Sequence, residues 1–207
     1  MPNFADPRFR ELNDANRRAQ ELLDKGDFAT ALAAFREVKE RAGQLGLDAS
    51  WPCWGIAICH DNLGDLEMAF ESMRESLQID PLNLGKQASF DQVVQHIRAV
   101  LASSERSADD PSTPKLYQLL TRAGEADLAA HLAMSRHLAA AGDGAGAMRI
   151  LDAVTTLYPA DRLGWERKAA VARALGDGEL ARRCEIEAAG CTRTETPFGV
   201  PRPMASA

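Results

Sequence analysis

Four times along the chain a Gly-Asp step is followed, five residues after the glycine, by an alanine. The sets are Gly26, Asp27 and Ala31; Gly64, Asp65 and Ala69; Gly142, Asp143 and Ala147; and Gly176, Asp177 and Ala181. Gly142 and Gly176 stand 34 residues apart, and Pro81 and Pro159 close the second and third sets. Recurrence at a fixed period constrains a chain more tightly than composition does. It prescribes an array of small units, each a single supersecondary element.

The spacing itself predicts helix pairs. Glycine takes the left-handed conformation that ends a first helix, and the neighbouring Asp caps a second. The small alanine lets the second helix approach the first, where a larger side chain would hold them apart. Proline, as in Asp80-Pro81, stops the second helix before the next unit. Each antiparallel pair then has an apolar face that only stacking on another pair can bury.

On these residues the chain resembles a tetratricopeptide-repeat protein. That family's signature places Trp, Leu-Gly and Tyr in the first helix of a unit and Ala, Phe and Pro in the second. The second unit matches at Gly64, Ala69 and Pro81, with Met73 at the aromatic place. The first has Phe28, Ala31 and Phe35, and the fourth has Trp165 where the family has its Trp. Leu151 and Glu185 stand at the aromatic places of the third and fourth. The resemblance covers units at about 12–41, 50–83, 128–161 and 162–189. It implies an all-α fold, a right-handed superhelix of antiparallel helix pairs with about ten short helices.

The array is uneven. Between Gly64 and Gly142 lie 78 residues, about two repeat lengths. That stretch holds Phe90, Val93, Val94, Ile97, Val100 and Leu101 at helical spacing, then the loop-like SERSADDPSTP, then KLYQLLTRAG. It reads as a fifth, degenerate pair at 84–125 with a loop at about Ser104–Thr113. One continuous stack is expected over residues 1–189, the alternative being two short stacks joined across 84–125. Residues 190–207 lack periodicity and read as a tail.

Charge and chemistry narrow the function. Net charge −6 and a pI near 5.3 argue against nucleic acid or an anionic membrane as partner. No apolar run approaches membrane-spanning length, so membrane insertion is not expected. The first residues lack a signal-peptide core, which makes the expected location cytoplasmic. With five Lys among 24 basic residues and abundant Ala, the source reads as a bacterium with a GC-rich genome. Cys53, Cys59, Cys184 and Cys191 fall in helical patterns without a C-x2-C knuckle, and read as thiols in helix seams. His131 and His137 are six apart, which is the wrong spacing for two ligands on one helix face. The glycine-rich Gly142–Gly146 is a repeat turn with no Lys after it. Neither a cofactor, a metal nor an enzymatic activity is expected.

What remains is a binding surface. In the family resembled, first helices line a concave groove where peptides dock. Carried over by register, the groove positions are Asn13, Asn16 and Gln20; Trp51, Trp54, Ile58 and Asn62; and Leu132, Arg136, Glu166 and Arg173. Amides can pair with both donors and acceptors of an extended backbone, and exposed indoles supply large apolar contact. Trp165 stands at the family's core position and is assigned to packing. The Lys/Asn/Arg carboxylate clamp found in some members is not matched. The implied function is an adaptor or scaffold for a partner protein or peptide, with self-association as a further option. The alternatives are a cytoplasmic chaperone for a secreted or assembling protein and a regulatory subunit of an enzyme complex.

Overall fold

Each of the four Gly-Asp steps ends one helix and begins the next. In the computed structural model, which describes residues 7–104 and 110–191, Gly26, Gly64, Gly142 and Gly176 have φ of 77°, 81°, 82° and 83°. These are left-handed values that glycine adopts without a Cβ penalty. The next residue caps the following helix. Asp27 accepts from the Thr30 N–H at 3.3 Å, Asp65 from Met68 at 3.2 Å, Asp143 from Gly146 at 2.7 Å and Asp177 from Leu180 at 2.9 Å. Asp127 and Asp161 cap two further helices in the same way.

The described residues form ten helices and no strand. They are α1 (Pro7–Asp24), α2 (Phe28–Gln44), α3 (Ser50–Asn62), α4 (Leu66–Ile79) and α5 (Leu84–Ser104), then α6 (Thr113–Ala123), α7 (Leu128–Ala140), α8 (Gly144–Leu157), α9 (Arg162–Ala174) and α10 (Gly178–Gly190). None is long and apolar enough to cross a membrane. Turns of three residues force α1–α2, α3–α4, α7–α8 and α9–α10 to run antiparallel. The expected tail, from residue 192 on, and residues 105–109 of the expected loop lie outside the described residues.

The repeat alanines do what their size predicts. Ala31, Ala69, Ala147 and Ala181 are at most 2% exposed. One close approach was not anticipated. A Cβ on Gly55 would lie 2.5 Å from Cζ of Phe35, so α3 rests on that ring at a separation only glycine allows.

The contacts divide the chain into two compact units, Met1–Ile97 and Arg98–Ala207, with the boundary inside α5. In the first unit Ala19, Leu23, Ala31, Phe35, Ile56 and Cys59 form one core cluster, and Leu12, Val38 and Ala42 a smaller one. In the second, Leu132, Ala147, Leu151, Val154 and Val171 pack together. Helix α5 begins at Leu84, earlier than the apolar run from Phe90 suggests. The reason is local: Asn83 Oδ1 accepts from the Lys86 N–H at 3.2 Å and starts the helix directly after the Pro81 turn.

Candidate functional site

Helix α3 carries no Lys or Arg, and Cys53, Ile56, Ala57, Cys59 and His60 are buried. Burial pushes the Cys53 and Cys59 thiols up to about 11, which keeps them protonated and unreactive. Trp51, Trp54, Ile58 and Asn62 follow each other at helical steps and make one stripe along the remaining face. Trp54 is half-buried against the first unit's core, and its Nε1 donates to Ser89 Oγ of α5 at 3.1 Å. Trp51 is 54% exposed and meets Trp54 edge to face, centroids 5.3 Å apart at 84°. Asn62 Nδ2 donates to the Ile58 carbonyl at 2.9 Å, one turn back.

The neighbouring helices extend the face. On α1, Asn13 is exposed and Gln20 donates to Asp24 Oδ1 at 2.8 Å. Asn16 is half-buried, and its Oδ1 has no hydrogen-bond partner among the described residues. On α5, His96 Nδ1 lies 2.9 Å from Asp61 Oδ1. Of the seven expected positions of the first unit, three lie on α1 and four make the stripe on α3, with Ser89 of α5 bonded to Trp54.

A polar network underlies one end of it. Lys86 is only 2% exposed, and its Nζ donates to Ser50 Oγ at 2.7 Å and Asp80 Oδ2 at 2.9 Å. The same Nζ stands 5.3 Å above the Trp51 ring, a cation–π contact. Ser76 Oγ donates to the Ser50 carbonyl at 2.7 Å, which ties the end of α4 to the start of α3. Hydrogen bonds from Lys86 and Asn83 hold the Asp80 carboxyl below its ordinary range.

Behind the stripe lies His60, where three elements meet. The Arg36 guanidinium, which can only donate, is 3.3 Å from Nε2, so that nitrogen is the acceptor. Nδ1 then carries the proton toward Asp65 Oδ2 at 3.3 Å. Burial pushes the His60 pKa down, against the upward pull of Asp65 and with the help of Arg36.

The second unit corrects part of the expected set. Leu132 is 1% exposed inside the Leu151–Val154–Val171 cluster, so its side chain is core and cannot face a partner. Glu166 accepts from Arg162 Nε at 2.6 Å, and Arg173 pairs with Glu185 of α10. Arg136 is half-buried. Trp165 is not in the core cluster either. It is half-buried, donates from Nε1 to the Pro159 carbonyl at 2.9 Å and lies under Lys168 Nζ at 5.1 Å. The preceding Gly164 takes the close contact instead: a Cβ there would meet Val154 Cγ1 at 2.7 Å.

Register did not anticipate Ser89, Lys86 or His96. The one trace of the Lys86 network in the sequence is Asp80, Asn83 and Lys86 at steps of three. An open cavity of about 270 Å³ between the start of α1 and the end of α2 lies away from this face. Arg8, Glu11, Arg41 and Gln44 line it with two leucines, without a nucleophile and base held together. Among the described residues no three His, Cys, Asp or Glu side chains are placed to hold a metal.

Residues 53–81, from α3 to the turn after α4, match the tetratricopeptide repeat family. No curated protein matches the chain. Among solved structures it is similar to the TPR2AB domain of yeast Sti1 in its pHSP90 complex, at 17% identity over 86% of this chain and 76% of that one, with a TM-score of 0.42. It is similar to MamA from Desulfovibrio magneticus RS-1, at 15% identity over 89% and 96%, with a TM-score of 0.38. PilF of Pseudomonas aeruginosa aligns at 14% identity over 92% and 80%, with a TM-score of 0.38. The helix pair that carries most of the indole stripe, α3 with α4, is the part of the chain that matches a tetratricopeptide repeat.

Proposed function

We propose that the chain is a non-catalytic adaptor whose first unit holds a segment of a partner protein against the α1–α3–α5 face. The observation that carries this reading is the indole pair on α3, where Trp54 is anchored to Ser89 and braces a Trp51 that stands more than half exposed. A rigid aromatic surface of this kind supplies contact area at small entropic cost to a partner. Trp51, Trp54 and Ile58 are the apolar anchors of the proposed site. Asn13, Asn16, Gln20 and Asn62 are its backbone-pairing amides. Arg136, Glu166 and Arg173 are proposed as polar contacts on the second unit. The repeat match at residues 53–81 supports the reading, because it covers the helix that presents the stripe.

The test is Trp54→Ala in the full chain, measured against a partner recovered by affinity purification from the native organism. Loss of a hot-spot indole is worth about 2 kcal/mol or more, or roughly thirtyfold in affinity. Because Trp54 also touches the core, affinity is read on the folded fraction, with Asn62→Ala as a milder second variant. Unchanged affinity in both variants would remove this face from the function.

A further inference from the structure

Of the three tryptophans, Trp51 has the least support of its own. Trp54 donates from Nε1 to Ser89 and Trp165 to the Pro159 carbonyl. Trp51 makes no hydrogen bond from its ring among the described residues, although it is 54% exposed and stands in the first turn of α3. That turn is itself weakly started. Asp side chains cap α2, α4, α7, α8, α9 and α10, whereas Ala49 precedes α3 and offers no acceptor. An uncapped helix start frays, and the side chains on it move with the backbone.

What holds the turn comes from outside the helix. Asp48 Oδ1 accepts from the Ser50 N–H at 2.6 Å, Ser76 Oγ donates to the Ser50 carbonyl, and Lys86 Nζ donates to Ser50 Oγ. An ammonium has three donors. Lys86 directs one to Ser50 and one to Asp80, and its nitrogen stands 5.3 Å over the Trp51 ring. Its side chain is 2% exposed, so water competes poorly for these contacts. Besides Lys86, the Trp51 ring has the edge-to-face contact with Trp54.

The second unit repeats the device. Lys168 Nζ donates to Thr155 Oγ1 at 3.2 Å, pairs with Asp152 Oδ1 at 2.9 Å and stands 5.1 Å over the Trp165 ring. There the indole also has a carbonyl partner of its own. In the first unit it has none, so the lysine carries the pose.

We infer that Lys86 is a positioning residue of the α3 face: its ammonium, held by Ser50 and Asp80, fixes the pose in which Trp51 meets a partner. The inference rests on the proposed adaptor role for the use of Trp51, and deepens it by adding a buried residue that itself touches no partner. An exposed indole that is free to turn must be ordered when it is covered, whereas one already held is not. The difference is worth roughly threefold to tenfold in affinity.

The test reads the pose directly. Fluorotryptophan incorporated into the full chain gives each indole its own fluorine resonance, assigned by single Trp→Phe changes. Lys86→Met with Asp80→Asn removes the cation and its counterion together, keeps the net charge and leaves no buried charge unpaired. In this variant the Trp51 resonance is expected to shift and to report faster motion, with Trp165 unmoved. Affinity for the partner protein recovered in the Trp54→Ala test is expected to fall by roughly threefold to tenfold. If the double variant does not fold, Lys86→Gln, which keeps a donor for Ser50 but no cation, is read in its place with the same expectation. A lower melting temperature with an unchanged Trp51 resonance overturns the inference and leaves Lys86 a structural residue only. So does a loosened Trp51 with undiminished affinity where Trp51→Ala weakens binding, because the pose would then not matter. If neither Trp51→Ala nor Trp54→Ala weakens binding, the adaptor face itself fails and takes the positioning role with it, whatever the fluorine spectrum shows.

Discussion

At the residue scale, His60 makes the clearest commitment. Folded, it accepts at Nε2 from a guanidinium and is buried, so its pKa lies below the ordinary 6.5. Between those two values the unfolded chain binds more protons than the folded one. The stabilising contribution is therefore complete above about 6.5 and is lost as pH falls toward the folded pKa. His131, also lowered by burial and hydrogen-bonded to Tyr117 at 2.8 Å, acts in the same direction. The melting temperature should drop between about pH 7 and pH 5, and the drop should be shallower in His60→Gln. A pH profile unchanged from that of the parent chain in both His60→Gln and His131→Gln would show that neither ring couples protons to folding. Two glycines make a second contrast. Gly142 has φ of 82° and open space where a Cβ would go, so Gly142→Ala should cost about 1–2 kcal/mol by backbone conformation alone. Gly55→Ala meets Phe35 and should cost about 1–3 kcal/mol by overpacking. Adding Phe35→Leu should recover part of the loss at Gly55 and none at Gly142; equal recovery at both would refute the distinction.

At the element scale the helices are set by their ends. Asp143 accepts from Gly146 at 2.7 Å, and α8 has no acidic residue in its first turn to substitute for it. Asp143→Ala should lower stability by about 1 kcal/mol, whereas Asp143→Asn should be nearly neutral, both read by chemical denaturation. Equal losses in the two variants would mean that the carboxylate's charge, not its acceptor geometry, holds the helix start. The same chemistry explains what could be read in the sequence. A left-handed glycine followed by a capping Asp is a local event, complete within four residues, so four turns and their helix pairs could be read from the sequence. The start of α5 depends on Asn83 and on the buried Lys86, whose partner Ser50 lies 36 residues away. No periodicity records such a contact. Leu132 and Trp165 were placed by register alone. A register fixes a position on a helix, but the packing of Gly164 on Val154 and of Leu132 among its neighbours decides which positions are covered.

At the scale of the whole molecule, the sign of the charge and its distribution bear on function together. The chain has 24 basic and 30 acidic residues, and five of its described arginines are engaged with a carboxylate of the same helix or helix pair. Arg17 pairs with Asp14, Arg41 with Glu37, Arg74 with Glu71, Arg162 with Glu166 and Arg173 with Glu185. Such exposed pairs add little to stability, but they place a carboxylate beside each guanidinium and cancel the field that a polyanion would need. Binding to a nucleic-acid backbone comes from cations that displace condensed counterions, several at once along one face. Residues 42–97, including the indole stripe, offer only Arg74 and Lys86, both already paired. Duplex DNA should therefore not be retained by the full chain at about 0.15 M salt up to roughly 100 μM protein, at or beyond the weak end of ordinary non-specific affinities. A mobility shift at micromolar protein that weakens steeply with added salt would contradict this. It would point to a basic surface built from exposed arginines outside residues 42–97, such as Arg149, Arg182 and Arg183.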